Sequence, residues 1–215
     1  MTFSLIITAG GTSSRYGNIN KLLEKIDSET VIEHSLKPFL EFGEIKEVII
    51  PANISILDNL KQIFAGKEIK IIEGGSTRQE SVYKALQKVT SDFVIIHDGA
   101  RPIITKEIIS EVIEKTKNLG AVSVMTKTTD TIKEVDENGK IIRTIDRSKL
   151  YNTQTPQAFK TSTIKEVHEK LKGKSYTDDC SMLEEFGENV YIVEGSPKNI
   201  KITSKSDLDF AKIYI

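Results

Sequence analysis

The 215-residue sequence holds a single cysteine, Cys180. No internal disulfide can form, which suits a reducing compartment. Neither sign of charge is in surplus: Lys+Arg 30 stand against Asp+Glu 31, a net charge of −1. That excludes the broad positive field of a nucleic-acid-binding protein, so any phosphate chemistry has to rest on a few placed cations. No apolar run approaches the ~20 residues of a membrane span, and no basic leader precedes the first strand. The expectation is a cytoplasmic protein with neither membrane nor nucleic acid as a partner. Internal repeats and low-complexity stretches are also lacking. With 38% hydrophobic and 28% charged residues, the composition is that of one ordinary domain, 1–215, with an insertion.

What is present is alternation. Short apolar runs at 5–8, 48–50, 69–72, 93–96 and 121–125 read as strands, the second stopped by Pro51. Between them, apolar residues at helical spacing predict helices over 31–42, 56–64, 81–89 and 108–119. Strand and helix in turn imply an α/β fold, Rossmann-like, with a mostly parallel sheet flanked by helices. The rhythm changes at 129–151. There 132–135 and 140–145 alternate around Asn138-Gly139, the signature of a hairpin. A lone hairpin is marginal, so this inserted β-arm is expected to pack on a second subunit. Helices over 162–171, 178–186 and 206–214 and a strand over 190–193 complete the chain.

Five segments carry the residues of chemical interest. Ala9-Gly10-Gly11 ends the first strand, and Arg15 and Lys21 follow it. Small residues there let backbone N–H groups approach an anion, although a tight turn with solvated charges would look the same. The loop matches neither a P-loop nor a dinucleotide fingerprint. Gly74-Gly75-Ser76-Thr77-Arg78, with Ser81, reads as a helix start facing a ligand or as a plain cap. His97-Asp98-Gly99-Ala100-Arg101 closes the most apolar strand. Its Asp could hold ribose hydroxyls or hydrated Mg²⁺ and its Arg a phosphate, or the two could simply pair; His97 is expected to be structural. Arg147 and Thr155 lie around and after the arm, and Lys201 lies near the end. No Ser/His/Asp set or carboxylate pair stands out.

Taken in order, these segments resemble the 2-C-methyl-D-erythritol 4-phosphate cytidylyltransferase family of non-mevalonate isoprenoid biosynthesis. Asp130-Thr131-Ile132-Lys133 and Thr177-Asp178-Asp179 add to the match, which runs from Ala9 to the last helix. The sequence departs from the family pattern at Ser13, where glycine is common, at Ser76, where Asp can stand, and at Asn20-Lys21-Leu22, where Pro-Lys-Gln is frequent. The resemblance implies CTP as donor, a small polyol phosphate as acceptor, Mg²⁺ or another divalent cation, and a homodimer interlocked by the arm. It assigns Arg15, Lys21, Arg147 and Lys201 to catalysis. Ala9, Gly10, Gly11, Gly75, Ser81 and Asp98 fall to the nucleotide, and Arg78, Arg101, Thr131 and Thr155 to the acceptor. It does not fix a protein ligand for the metal. Asp98 is the candidate, with most ligation from the CTP phosphates. A ribitol 5-phosphate cytidylyltransferase and a non-catalytic nucleotide-binding scaffold are the alternatives. Asp98-Gly99-Ala100-Arg101 and Asp146-Arg147 favour methylerythritol phosphate over ribitol phosphate, and the retained cations argue against a scaffold.

Overall fold

The computed structural model describes residues 1–11, 16, 17 and 19–215. In chain order the elements begin with β1 (Phe3–Thr8), β2 (Lys25–Ile26), β3 (Glu29–Thr30) and α1 (Val31–Leu36), then β4 (Ile45–Ala52), α2 (Leu57–Ile63) and β5 (Ile69–Glu73). There follow α3 (Arg78–Leu86), β6 (Phe93–Asp98), α4 (Lys106–Leu119), β7 (Ala121–Lys127), β8 (Lys133–Val135) and β9 (Ile141–Thr144). The chain closes with β10 (Tyr151–Lys160), α5 (Thr161–Lys170), α6 (Asp179–Phe186), β11 (Tyr191–Glu194) and α7 (Lys205–Tyr214).

Seven strands form one sheet in the order β11-β7-β10-β6-β1-β4-β5. Every neighbouring pair is parallel except the two made by β10, which runs antiparallel to both β6 and β7. Alternate strand residues enter two cores. Leu5, Ile7 and Ile50 pack with Val31, Leu60, Val112 and Leu208, placing α1, α2, α4 and α7 on one face. Ile6, Ile49 and Ile96 pack with Val82, Ile164 and Leu183, placing α3, α5 and α6 on the other. Helix α4 illustrates the local logic. Thr105 caps its start by accepting from the Ile108 N–H, and Gly120, at φ +85°, ends it. Its fully buried Ile109 and Val112 are each worth roughly 1.5–3 kcal/mol of apolar burial.

Several boundaries differ from the sequence expectation. The helix expected over 31–42 ends at Leu36 and tightens into a 3-10 turn over Lys37–Glu41, because Pro38 lacks an N–H and crowds the preceding turn. Strand β4 does not stop at Pro51. Continuous pairing with β1 ends at Ile6–Ile49 and resumes only at an Ala9–Ala52 bridge, so the missing donor falls in a gap of the ladder. The helix expected from Ser81 starts at Arg78, capped by the Thr77 side chain. Strand β10 lies outside the sequence expectation; it is an interior strand of the sheet, between β7 and β6. The hairpin forms as expected, β8 pairing only with β9. Its Val135, Ile141 and Ile142 are more than half exposed.

Candidate active site

Strands β1 and β6 are parallel neighbours, with Thr8 opposite Asp98. Their C-terminal ends open into a cleft of about 350 Å³, at the edge where open α/β sheets bind ligands. On one side Gly10 and Gly11 face Ser81 and Thr77 at the start of α3. The approach is close: a Cβ on Gly10 would sit 2.7 Å from the Ser81 hydroxyl oxygen, and one on Gly74 2.9 Å from it. Glycine is what lets these segments meet. Ser81 Oγ in turn accepts from the Gly75 N–H at 2.9 Å and donates to the Thr77 carbonyl at 2.8 Å. That crosslink fixes the Gly74-Gly75 turn against the helix.

Opposite stands Asp98, 5% exposed. Lys201 Nζ lies 2.9 Å from its Oδ2, Arg101 Nε 3.5 Å from the same oxygen, and Arg78 Nε 3.5 Å from Oδ1. Thr8 also donates to Oδ1, at 3.3 Å. Burial alone would raise the Asp98 carboxyl, but Arg78, Lys201 and Arg101 outweigh it and hold the group ionised well below the usual carboxylate range. The cluster therefore carries an excess of positive charge beside the cleft.

Behind Asp98 the wall is a hydrogen-bond circuit. The Asp98 N–H donates to Thr155 Oγ1 at 3.0 Å, and that hydroxyl lies 3.0 Å from His97 Nδ1. His97 Nε2 lies 3.2 Å from the Arg101 carbonyl. A carbonyl only accepts, so Nε2 carries the proton and Nδ1 accepts from Thr155. Full burial draws the His97 imidazole down to about 4, so it is neutral at pH 7. Arg101 Nη1 donates to the Asn199 carbonyl at 2.7 Å, while Asn199 Nδ2 donates to the Thr155 carbonyl at 2.9 Å and to Gln154 Oε1 at 3.1 Å. The segment bearing Lys201 has no regular structure, yet it is tied down on both sides. Asn199 holds it before Lys201, Ile202 N–H donates to the Ala100 carbonyl at 2.8 Å, and Asp207 accepts from Thr203 N and Oγ1.

A family model described as IspD, 2-C-methyl-D-erythritol 4-phosphate cytidylyltransferase, matches residues 3–215. The chain belongs to this cytidylyltransferase family. It is 40% identical over 220 residues to the 2-C-methyl-D-erythritol 4-phosphate cytidylyltransferase of Clostridium beijerinckii, covering 99% of this chain and 97% of that protein. To the protein of the same name from Caldanaerobacter subterraneus it is 39% identical over 225 residues, covering 100% and 99%. Among solved structures, 4-diphosphocytidyl-2C-methyl-D-erythritol synthase from Anaerococcus prevotii superposes with a TM-score of 0.87 at 32% identity, over 99% of this chain and 97% of that one. The 2-C-methyl-D-erythritol 4-phosphate cytidylyltransferase of Francisella tularensis gives 0.86 at 28% identity, over 100% of both.

The cytidylyltransferase residues expected from sequence fall into three groups. Gly10, Gly11, Lys21, Arg78, Ser81, Asp98 and Lys201 line the cleft. Lys21 opens a 3-10 turn over Lys21–Leu23 that the Asn20 side chain caps. Ala9, Gly75, Arg101 and Thr155 sit behind that surface; Arg101 and Thr155 are 9% and 5% exposed and spend their polar atoms on the wall. Thr131 and Arg147 are exposed on and beside the arm, outside the cleft; the Arg147 guanidinium bonds the Thr129 carbonyl. Arg15 lies outside the described residues. Sequence reasoning missed Thr8, Thr203 and Asn199 as site residues. Thr8 was discoverable as the last residue of β1, and Thr203 as the same-side neighbour of Lys201 two residues on.

The described residues contain no cluster of three or more His, Cys, Asp or Glu that could hold a metal, and Asp98 is the one carboxylate among those lining the cleft. Three cations already face it. The described lining thus offers at most one carboxylate, already paired, so a divalent ion would have to be held chiefly by the phosphate oxygens of a bound nucleotide.

Proposed function

We propose that this chain transfers the cytidylyl group of CTP to 2-C-methyl-D-erythritol 4-phosphate. The products are 4-diphosphocytidyl-2-C-methyl-D-erythritol, an intermediate of non-mevalonate isoprenoid biosynthesis, and pyrophosphate. The observation that carries this reading is the pairing of a narrow, glycine-built pocket with a cation cluster at one sheet edge, in a chain of this family. The cleft beside Gly10, Gly11 and Ser81 would take the pyrimidine against backbone polar groups. Lys21 faces the triphosphate, and the family resemblance assigns Arg15 to the same anion. Lys201 and Asp98 face the acceptor, and Arg147 reaches it from the arm of a second subunit in a cytoplasmic homodimer.

The reaction is an in-line displacement. An acceptor phosphate oxygen bonds to the α-phosphorus, the bond from that phosphorus to the α–β bridging oxygen breaks, and the electron pair leaves with pyrophosphate. The acceptor phosphate is already ionised at pH 7, so no general base is required, in keeping with the described lining of the cleft: His97 is buried in the wall and Asp98 is locked as an anion. The chain's own residues contribute position and charge. Lys21 and Arg15 stabilise charge on the departing pyrophosphate, and Lys201 holds the incoming phosphate against repulsion from CTP. Mg²⁺ or another divalent ion, held by the CTP phosphates with Asp98 as its protein ligand, would add further charge neutralisation. Pyrophosphate release from CTP with 2-C-methyl-D-erythritol 4-phosphate, and with ribitol 5-phosphate in its place, tests the reading. Turnover is expected with the first acceptor and a far lower rate with the second. Turnover with neither, or equal rates with ATP and CTP, would overturn it.

A further inference from the structure

Arg78 is the only cleft cation, among the described residues, whose guanidinium bridges two carboxylates. Its Nη1 lies 2.7 Å from Oδ2 of Asp179, while its Nε is 3.5 Å from Oδ1 of Asp98. The shorter contact is the one directed away from the cleft: Asp98 lines it, Asp179 does not. The second oxygen of Asp179 lies 3.2 Å from Nε2 of His168. Because a carboxylate accepts only, that nitrogen donates. The Asp179 and His168 side chains are each 1% exposed, and Arg78, Asp179 and His168 come from three separate helices, α3, α6 and α5.

Asp179 has no local duty that explains its burial. It stands in the first turn of α6, but capping there falls to Asp178, whose Oδ1 accepts from the Ser181 N–H at 3.0 Å. Burial raises the Asp179 carboxyl, and Arg78 and His168 more than offset this and keep it ionised. What the ionised group does is fix one end of Arg78. A guanidinium left with Asp98 alone would fold onto it through two parallel bonds, the preferred geometry of such pairs. That would close over the carboxylate and turn Arg78 out of the cleft. With Nη1 held from behind, Arg78 touches Asp98 at one long contact on Oδ1, and Oδ2 of Asp98 is left to Lys201 and Arg101.

We infer that Asp179, steadied by His168, is a positioning residue for the cytidylyl transfer: it anchors Arg78 and through it sets the Asp98–Lys201 pair. The inference rests on the reaction proposed above. Asp179→Asn keeps the shape but offers an amide N–H₂ to one of the two donors that Asp179 accepts from. The experiment measures kcat/KM for CTP in wild type, Asp179→Asn, Arg78→Ala and the double variant, with thermal unfolding of each. The expected loss for Asp179→Asn is about tenfold, the scale seen for outer partners that orient working groups. In the Arg78→Ala background the same change should cost little more, since the group it positions is gone. Wild-type kcat/KM in Asp179→Asn, or losses that multiply in the double variant, would overturn the inference. A purely structural part would lower unfolding temperature in both backgrounds and give multiplying losses. If Asp179→Asn does not fold, Arg78→Lys takes its place, since a lysine keeps the charge but cannot span both carboxylates. A loss of about tenfold is then expected, and near-normal kcat/KM overturns the bridge. Inactive wild type with CTP and methylerythritol phosphate would instead count against the reaction itself.

Discussion

The cleft and the arm handle charge in opposite ways. In the cleft wall, Asp98, Arg101, Thr155 and Asn199 are buried and each is bonded to at least one other. On the arm, Arg143 pairs with Glu134 at the surface, Arg147 holds one carbonyl, and Ile141 and Ile142 lie open beside them. A buried polar group that loses its partner costs its full desolvation, whereas an exposed one falls back on water. The wall therefore behaves as one unit, in which no residue changes alone. The arm behaves as a set of side chains that can change independently of one another. Two arginines expected at the same acceptor, Arg101 and Arg147, end up under these two regimes.

The contrast can be broken by experiment, beginning with the largest effect. Arg101→Ala should lower unfolding free energy by about 3 kcal/mol, the low end for breaking a buried charge pair because Arg78 and Lys201 still face Asp98. Chemical denaturation measures it, and a loss near zero would mean the wall is not a unit. Lys21→Ala should cut turnover on the order of 10²–10³-fold with little change in unfolding, since Lys21 sits in the cleft and not in either core. Near-normal pyrophosphate release would remove it from the mechanism.

His97 gives a pH test of the wall. Its folded value of about 4 lies below the ordinary 6.5, so the unfolded chain takes up a proton that the folded chain refuses. Stability from this group is complete above about pH 6.5 and is lost as pH falls toward 4, by on the order of 3 kcal/mol at full extent. The thermal midpoint should drop over that window, and His97→Gln should flatten the drop. An equal slope in the variant would place the titration elsewhere. Arg147→Ala should be smallest in stability, within about 0.5 kcal/mol, while lowering turnover. A larger stability loss would show that the arm is held by more than the Thr129 carbonyl.

Much of the sheet could be read from sequence because its strands are apolar runs bounded by glycine or helix caps. Phe93-Val94-Ile95-Ile96 is the plainest case. Strand β10 escaped for a physical reason. Its buried residues include Gln154, Thr155 and Gln157, polar side chains that bond to Ser196, His97 and Asp178, and a proline stands in its middle. The register between β10 and β7 shifts between Thr153 and Gln157, the kind of irregularity that admits proline inside a sheet. No periodicity marks such a strand. Within the candidate site, Asp98, Lys21 and Ser81 stood out at strand ends and in glycine loops, while Lys201 was assigned only by the family resemblance. The bond from Arg78 to Asp179 was not legible, since it joins residues 101 apart and neither of their motifs points to the other.

The place of β10 also bears on how the protein is born. A ribosome that has released residues 1–127 has made both strands that β10 will join, β6 and β7, yet nothing that joins them. Until 151–160 emerge, each of those strands presents an open row of N–H and C=O groups, a template for pairing with a stranger. Nascent chains halted before 150 should therefore be sticky and protease-sensitive, and those halted well past 160 should not. The vulnerable interval in synthesis coincides with the making of the arm.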